Sequence, residues 1–107
     1  MIYKFKSKAA GDVIMTGPAG DGVLRLIGKA PAAKGIIEVA VMAAAMSALE
    51  QAVAADEAAR AQAEKEAAAE GRRLAPHEGV SLRQRAWPLA EMLKRSMAED
   101  ADIVWGV

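Results

Sequence analysis

The segment GVSLRQRAWPLAEMLKRSMAEDADIVWGV, residues 79–107, decides the fold of this chain. Its Ser81 and Gln84 have the spacing of a capping box, in which the serine side chain and the glutamine side chain satisfy the first free amides of a helix. An apolar stripe with helical spacing follows at Leu82, Ala86, Leu89, Leu93 and Met97. The segment ends on alternating apolar residues over 103–107, which predict a strand. We therefore expect a helix and a strand that together close the core.

Pro88 lies inside this predicted helix. A proline there removes one backbone hydrogen bond and costs about 3 kcal/mol or more. We expect the helix to kink at Pro88, with Trp87 packed beside the kink. If the ring is buried, Trp87→Ala would cost about 3–5 kcal/mol. If the ring is exposed, Trp87 becomes a candidate for a binding surface.

The N-terminal residues 1–6, MIYKFK, alternate in the same way as the C-terminal run. Tyr3 and Phe5 lie on one face of the predicted strand, and Lys4 and Lys6 lie on the other. Because both terminal runs carry aromatic residues on their apolar side, we expect them to pair.

Three segments in the middle of the chain complete the predicted fold. Residues 35–39 are short and β-branched, which predicts a third strand, and residues 19–28 have helical spacing with Gly28 as a C-terminal cap. Residues 8–16 are interpreted as a short helix, with Ser7 as its N-cap and Gly17-Pro18 as its stop signal. A strand over 12–16 is the alternative. The predicted class is α+β, a small sheet of the two terminal strands and 35–39 with helices packed on one face. An all-α fold with extended termini is the alternative.

The longest predicted helix covers residues 42–71. Its first half carries an apolar stripe at Met42, Met46, Leu49 and Val53. The alanine- and glutamate-rich part at 54–71 has no Leu, Ile, Val or Met, although alanine propensity and charge pairs can hold it helical. We expect this part to protrude from a single domain that spans 1–107, or to pack on a partner.

Composition excludes several classes of function. The formal net charge is zero, with +4 over residues 1–34, −5 over 35–70 and +1 over 71–107, which argues against a nucleic-acid-binding protein. The absence of cysteine excludes disulfides and thiolate metal sites. The N-terminus lacks the apolar region of a signal peptide, and no uncharged run approaches a membrane span. We therefore expect a cytoplasmic protein without a membrane partner.

No motif for catalysis, cofactor binding or metal binding is found in the sequence. The Gly17–Gly22 stretch has neither the dinucleotide-binding nor the nucleotide P-loop spacing, and Ala30 follows Gly28-Lys29 where a P-loop needs a hydroxyl. His77 is the only histidine and has no predicted ligand partner. The basic side chains of Arg25 and Lys29 could hold an anion beside a Gly17–Gly22 loop.

Two hypotheses for function follow. The first is a non-enzymatic accessory or protein-interaction module that associates with itself or with an unknown protein partner. Its candidate interaction surface comprises Arg83, Arg85, Trp87 and Trp105. The alternative is a small anionic-ligand binder or enzyme subunit that uses the Gly17–Gly22 loop.

Five stretches carry a resemblance to a known family: MIYKFKSKA at 1–9, DVIMTGPAGDGVLRLIGK at 12–29, GIIE at 35–38, GVSLRQRAWPLAEML at 79–93 and ADIVWGV at 101–107. The chain resembles a small bacterial family, met mainly in proteobacteria, that is designated domain of unknown function 1840. The resemblance extends over the whole chain, and its two ends are the most specific parts. It implies a bacterial, cytoplasmic, single-domain protein, and it implies no activity, ligand or catalytic residue.

Overall fold

Four antiparallel strands form the sheet on which the helices pack. The computed structural model describes residues 2–71 and 81–107, so the prediction for His77 lies outside it. The sheet has the order β2-β1-β4-β3, with β1 at Ile2–Ser7, β2 at Ala10–Thr16, β3 at Gly35–Ile37 and β4 at Ile103–Trp105. The helices are α1 at Gly17–Leu26, α2 at Val39–Ala69 and α3 at Leu82–Ala98. The α+β class is confirmed, and the all-α alternative is excluded.

The two terminal strands pair as the sequence predicted. β1 and β4 are antiparallel neighbours, with Phe5 directly opposite Trp105. The rings of Tyr3 and Phe5 stack at 5.7 Å between centroids, and Phe5 meets Trp105 edge to face, also at 5.7 Å. All three rings are buried, so they form an aromatic row on the helix-covered face of the sheet.

The predicted helix at 8–16 is wrong, and the alternative strand is confirmed. Residues 10–16 form β2, which pairs with β1 so that Tyr3 faces Met15 and Phe5 faces Val13. Met15 is buried, whereas Ile14 beside it is 65% exposed. This alternation suits a strand whose one face is buried, and pairing with β1 outweighs the helix signals from Ser7 and Gly17.

Gly17-Pro18 begins a helix rather than ending one. α1 starts at Gly17 with proline in its first turn, a position where the missing proline amide costs nothing. The segment predicted as a Gly17–Gly22 loop is therefore the first half of a helix. Gly20 lies so close to the Tyr3 ring that a β-carbon would overlap it. The Tyr3 hydroxyl donates to Asp21, and this hydrogen bond together with burial raises the pKa of the phenol.

The three helices end in the same way, with a residue in the left-handed region. Gly28, Gly71 and Asp100 follow α1, α2 and α3 with φ angles of 84°, 73° and 54°. After α3 the Ala101 amide donates to the Ser96 carbonyl at 2.9 Å, which closes the last turn as a Schellman motif. Glycine is expected at such positions, so Asp100 is the exception.

α2 begins with a cap from a distant part of the chain. Glu38 precedes the helix and makes no side-chain cap bond, and the first turn contains no acidic residue. The Val39 amide donates instead to the Asp102 carboxylate at 3.0 Å. The chain segment that leads into β4 therefore also fixes the start of α2.

The core lies between the helices and one face of the sheet. α2 contributes Met42, Ala45, Leu49 and Val53 to it, and α3 contributes Ala86, Leu89, Met92 and Leu93. By length and composition alone, α2 is the one described helix that could cross a membrane, with a mean hydropathy of 1.3 in its most apolar window. A core helix passes the same test, so this property carries no argument about location.

Candidate interaction surface

Helices α2 and α3 form an antiparallel hairpin whose outer side is open to solvent. Arg83, at the start of α3, donates to the Glu57 carboxylate in α2 at 2.5 Å. Lys94, near the end of α3, lines the same groove as Met46, which is in the first half of α2. The hydrogen bond to Glu57 raises the pKa of the Arg83 guanidinium, which is charged at any physiological pH.

Trp87 is exposed, contrary to the prediction that it is buried. Its side chain is 59% accessible to solvent. The buried stripe of α3 passes through Ala86 and Leu89, and one residue beyond Ala86 the helix has turned by about 100°, which carries the indole to the flank. Pro88 leaves the Gln84 carbonyl without its helical donor, and both residues are exposed, so water can satisfy that carbonyl.

A shallow apolar groove lies beside Trp87, and we call it the Trp87 groove. Its volume is about 190 Å³. Sites for small molecules are typically about 300–1,000 Å³, so this groove fits a side chain better than a metabolite. The lining residues are Met46, Leu49, Glu50 and Val53 from α2 and Arg83, Ala86, Trp87, Ala90, Glu91 and Lys94 from α3.

The edges of the groove differ in charge. The α2 edge carries Glu50, with Glu57 one turn beyond Val53, and the α3 edge carries Arg83 and Lys94. Glu91 lies 3.9 Å from Lys94 and is the one acidic side chain from α3 in the lining. Sequence reasoning missed Glu57 and Lys94, because helical spacing alone cannot distinguish a charge beside a helix–helix groove from one on an open face.

The structure brings together only half of the predicted interaction residues. Arg83 and Trp87 line the groove, whereas Arg85 is exposed about 200° around α3 from Trp87. Trp105 is only 3% exposed, and its indole nitrogen donates to the Ala32 carbonyl at 2.9 Å. The assignment of Trp105 to an interaction surface is therefore wrong, because the aromatic row buries its ring.

The Gly17–Gly22 segment of the predicted anion site is helical, so it does not form the anion-binding loop that the sequence predicted. Arg25 is in the last turn of α1, and Lys29 follows the helix, whereas Gly17 is in the first turn. Gly17 is eight positions before Arg25, a rise of about 12 Å, whereas Gly22 lies within one turn of Arg25. Tyr3 and Asp21 already occupy the side of α1 that faces the sheet. Across residues 2–71 and 81–107, no three side chains of the metal-ligating types come together.

Comparison with known proteins identifies the family. The family model described as domain of unknown function (DUF1840) matches residues 1–105. The chain belongs to this family. No curated protein and no solved structure matches it. Membership in DUF1840 brings no activity with it, so the function must be argued from the surface of the molecule.

Proposed function

We propose that this DUF1840 protein is a non-enzymatic interaction module that self-associates through the Trp87 groove. The observation that carries the proposal is the exposed indole of Trp87 beside an apolar groove. Tryptophan is enriched among the residues that dominate binding energy at interfaces, and one such ring buries about 150–250 Å². Association would remove this surface from water.

The charge and shape of the chain support a second copy as the partner. The formal net charge is zero, so two copies approach without long-range repulsion. The molecule measures 51 × 27 × 22 Å, and its helical hairpin offers a long side for contact. α3 alone, with 17 residues, is about 25 Å long. The Trp87 groove has acidic and basic edges on the same chain, so it can be complementary to itself.

Sedimentation velocity over a range of protein concentrations tests the proposal. We expect the wild-type chain to be a dimer and Trp87→Ala to weaken the dimer by about 30-fold or more. Ile14→Ala is the matched control, since Ile14 is similarly exposed but lies on the uncovered face of the sheet. A wild-type chain that stays monomeric at every concentration would overturn the proposal, as would equal dimerisation of the Trp87→Ala chain.

A further inference from the structure

The charged edges of the Trp87 groove determine how two copies can pack. α2 presents Glu50 and Glu57 along one edge. α3 presents Arg83 and Lys94 along the other, and because Glu91 offsets one of them, this edge is basic by one charge. Attraction between the copies requires that the acidic edge of one faces the basic edge of the other. The reverse arrangement places like charges together.

Two symmetric arrangements are available to a pair of hairpins packed face to face. A two-fold axis that crosses the helices places α2 on α2 and α3 on α3. A two-fold axis that runs along the helices places α2 of each copy on α3 of the other. Only the second arrangement brings the acidic edge against the basic edge.

We infer that the partner at the Trp87 groove is a second copy of this chain, docked about a two-fold axis that runs along α2 and α3. The inference rests on the proposed self-association. Rotation about such an axis keeps each residue at its own height along the hairpin. The antiparallel pairing that joins Arg83 to Glu57 places Trp87 level with Val53. Each indole therefore meets the partner's α2 near its Val53, and Ala86 and Ala90 leave room for the ring.

The same geometry gives Arg83 a second acidic neighbour. Within one chain Arg83 is bonded to Glu57, and both side chains are more than half exposed. Across the axis, Arg83 of each copy faces Glu57 of the other at the same height. The two ion pairs become a closed network of four charges at the interface, which shields them from solvent and fixes the register.

Exchanging the two charges within one chain distinguishes between the two symmetric arrangements. The double variant Glu57→Arg/Arg83→Glu retains an opposite-charge pair inside the chain and so retains the fold. In the inferred geometry it also retains attraction to an identical copy, but it meets like charges when it faces the wild-type chain. We therefore expect each of the two single variants to weaken the dimer and the double variant to restore it.

The experiment mixes equal amounts of the wild-type chain and the mass-tagged double variant, and native mass spectrometry then measures the dimers after exchange. We expect a heterodimer fraction well below half, because each chain selects its own kind. A heterodimer fraction at or above half would overturn the inferred axis while leaving self-association in place. A wild-type chain without any dimer would overturn the proposed function itself, so the two failures are distinguishable.

Discussion

Replacement of Asp100 by glycine should stabilise the protein. Asp100 has a φ of 54° at the position after α3 where α1 and α2 have Gly28 and Gly71. An L-residue in this region costs roughly 1–2 kcal/mol, and aspartate lies at the lower end because its short side chain can bond locally. The carboxylate also lies at the negative end of α3, which costs about 0.3–1 kcal/mol and less where water screens it.

Glycine removes both costs but adds about 0.5–1 kcal/mol of conformational freedom to the unfolded chain. The expected net gain is therefore about 1 kcal/mol in the free energy of unfolding. For a chain of this length, that corresponds to a rise in Tm of about 4–8 °C. Urea denaturation followed by circular dichroism gives the free energy, and a thermal scan gives the Tm.

Two further variants at the same position separate the effect of backbone conformation on stability from the effect of the charge. Asp100→Asn keeps a residue that tolerates the left-handed region and removes only the charge, so its gain should be smaller and should shrink at high salt. Asp100→Ala removes the charge but not the backbone cost, so it should be the least stable of the three. If Asp100→Asn matched the whole gain of Asp100→Gly, the backbone argument would be refuted. A loss of stability in Asp100→Gly would show that the carboxylate makes a stabilising contact.

Three more predictions follow from single contacts. Gly20→Ala should lower the free energy of unfolding by about 1–3 kcal/mol, because the new β-carbon overlaps the buried Tyr3 ring. Gly22→Ala in the same helix meets no atom within 4 Å and should raise the free energy of unfolding by about 0.5–1 kcal/mol. Equal effects of the two substitutions in urea titrations would contradict the packing argument. Asp102→Ala should lower the free energy of unfolding by about 1 kcal/mol, because the Val39 amide at the start of α2 loses the carboxylate that accepts its hydrogen bond. An unchanged midpoint of urea denaturation would show that water replaces the carboxylate. Trp87→Ala should change the free energy of unfolding by less than about 1 kcal/mol when it is measured at protein concentrations at which the chain is monomeric, since the ring is exposed. A cost near 3 kcal/mol under these conditions would mean that the ring is buried.

Local patterns predicted the parts of the fold whose signals involve neighbours in the sequence. The capping box at Ser81 and Gln84 is present, and the backbone amide of Gln84 donates to the Ser81 hydroxyl oxygen at 3.2 Å. Gly28 closes α1 as expected. The alternation of β1 placed Tyr3 and Phe5 on one apolar face, and both side chains are buried in the core. Such signals are readable because the physical cause and its effect lie within a few residues of each other.

Tertiary structure decided everything that depends on contacts between distant segments. Residues 10–16 carry weak signals for both helix and strand, and pairing with β1 selected the strand. Trp87 and Trp105 are equally apolar in the sequence, yet Trp105 faces the aromatic row and Trp87 faces solvent, because strand register places the one and helical rotation places the other. The Trp87 groove forms where α3 folds back on α2, and the same packing brings together Arg83 and Glu57, which are 26 residues apart. Long-range pairing of this kind leaves no periodic trace in either segment alone.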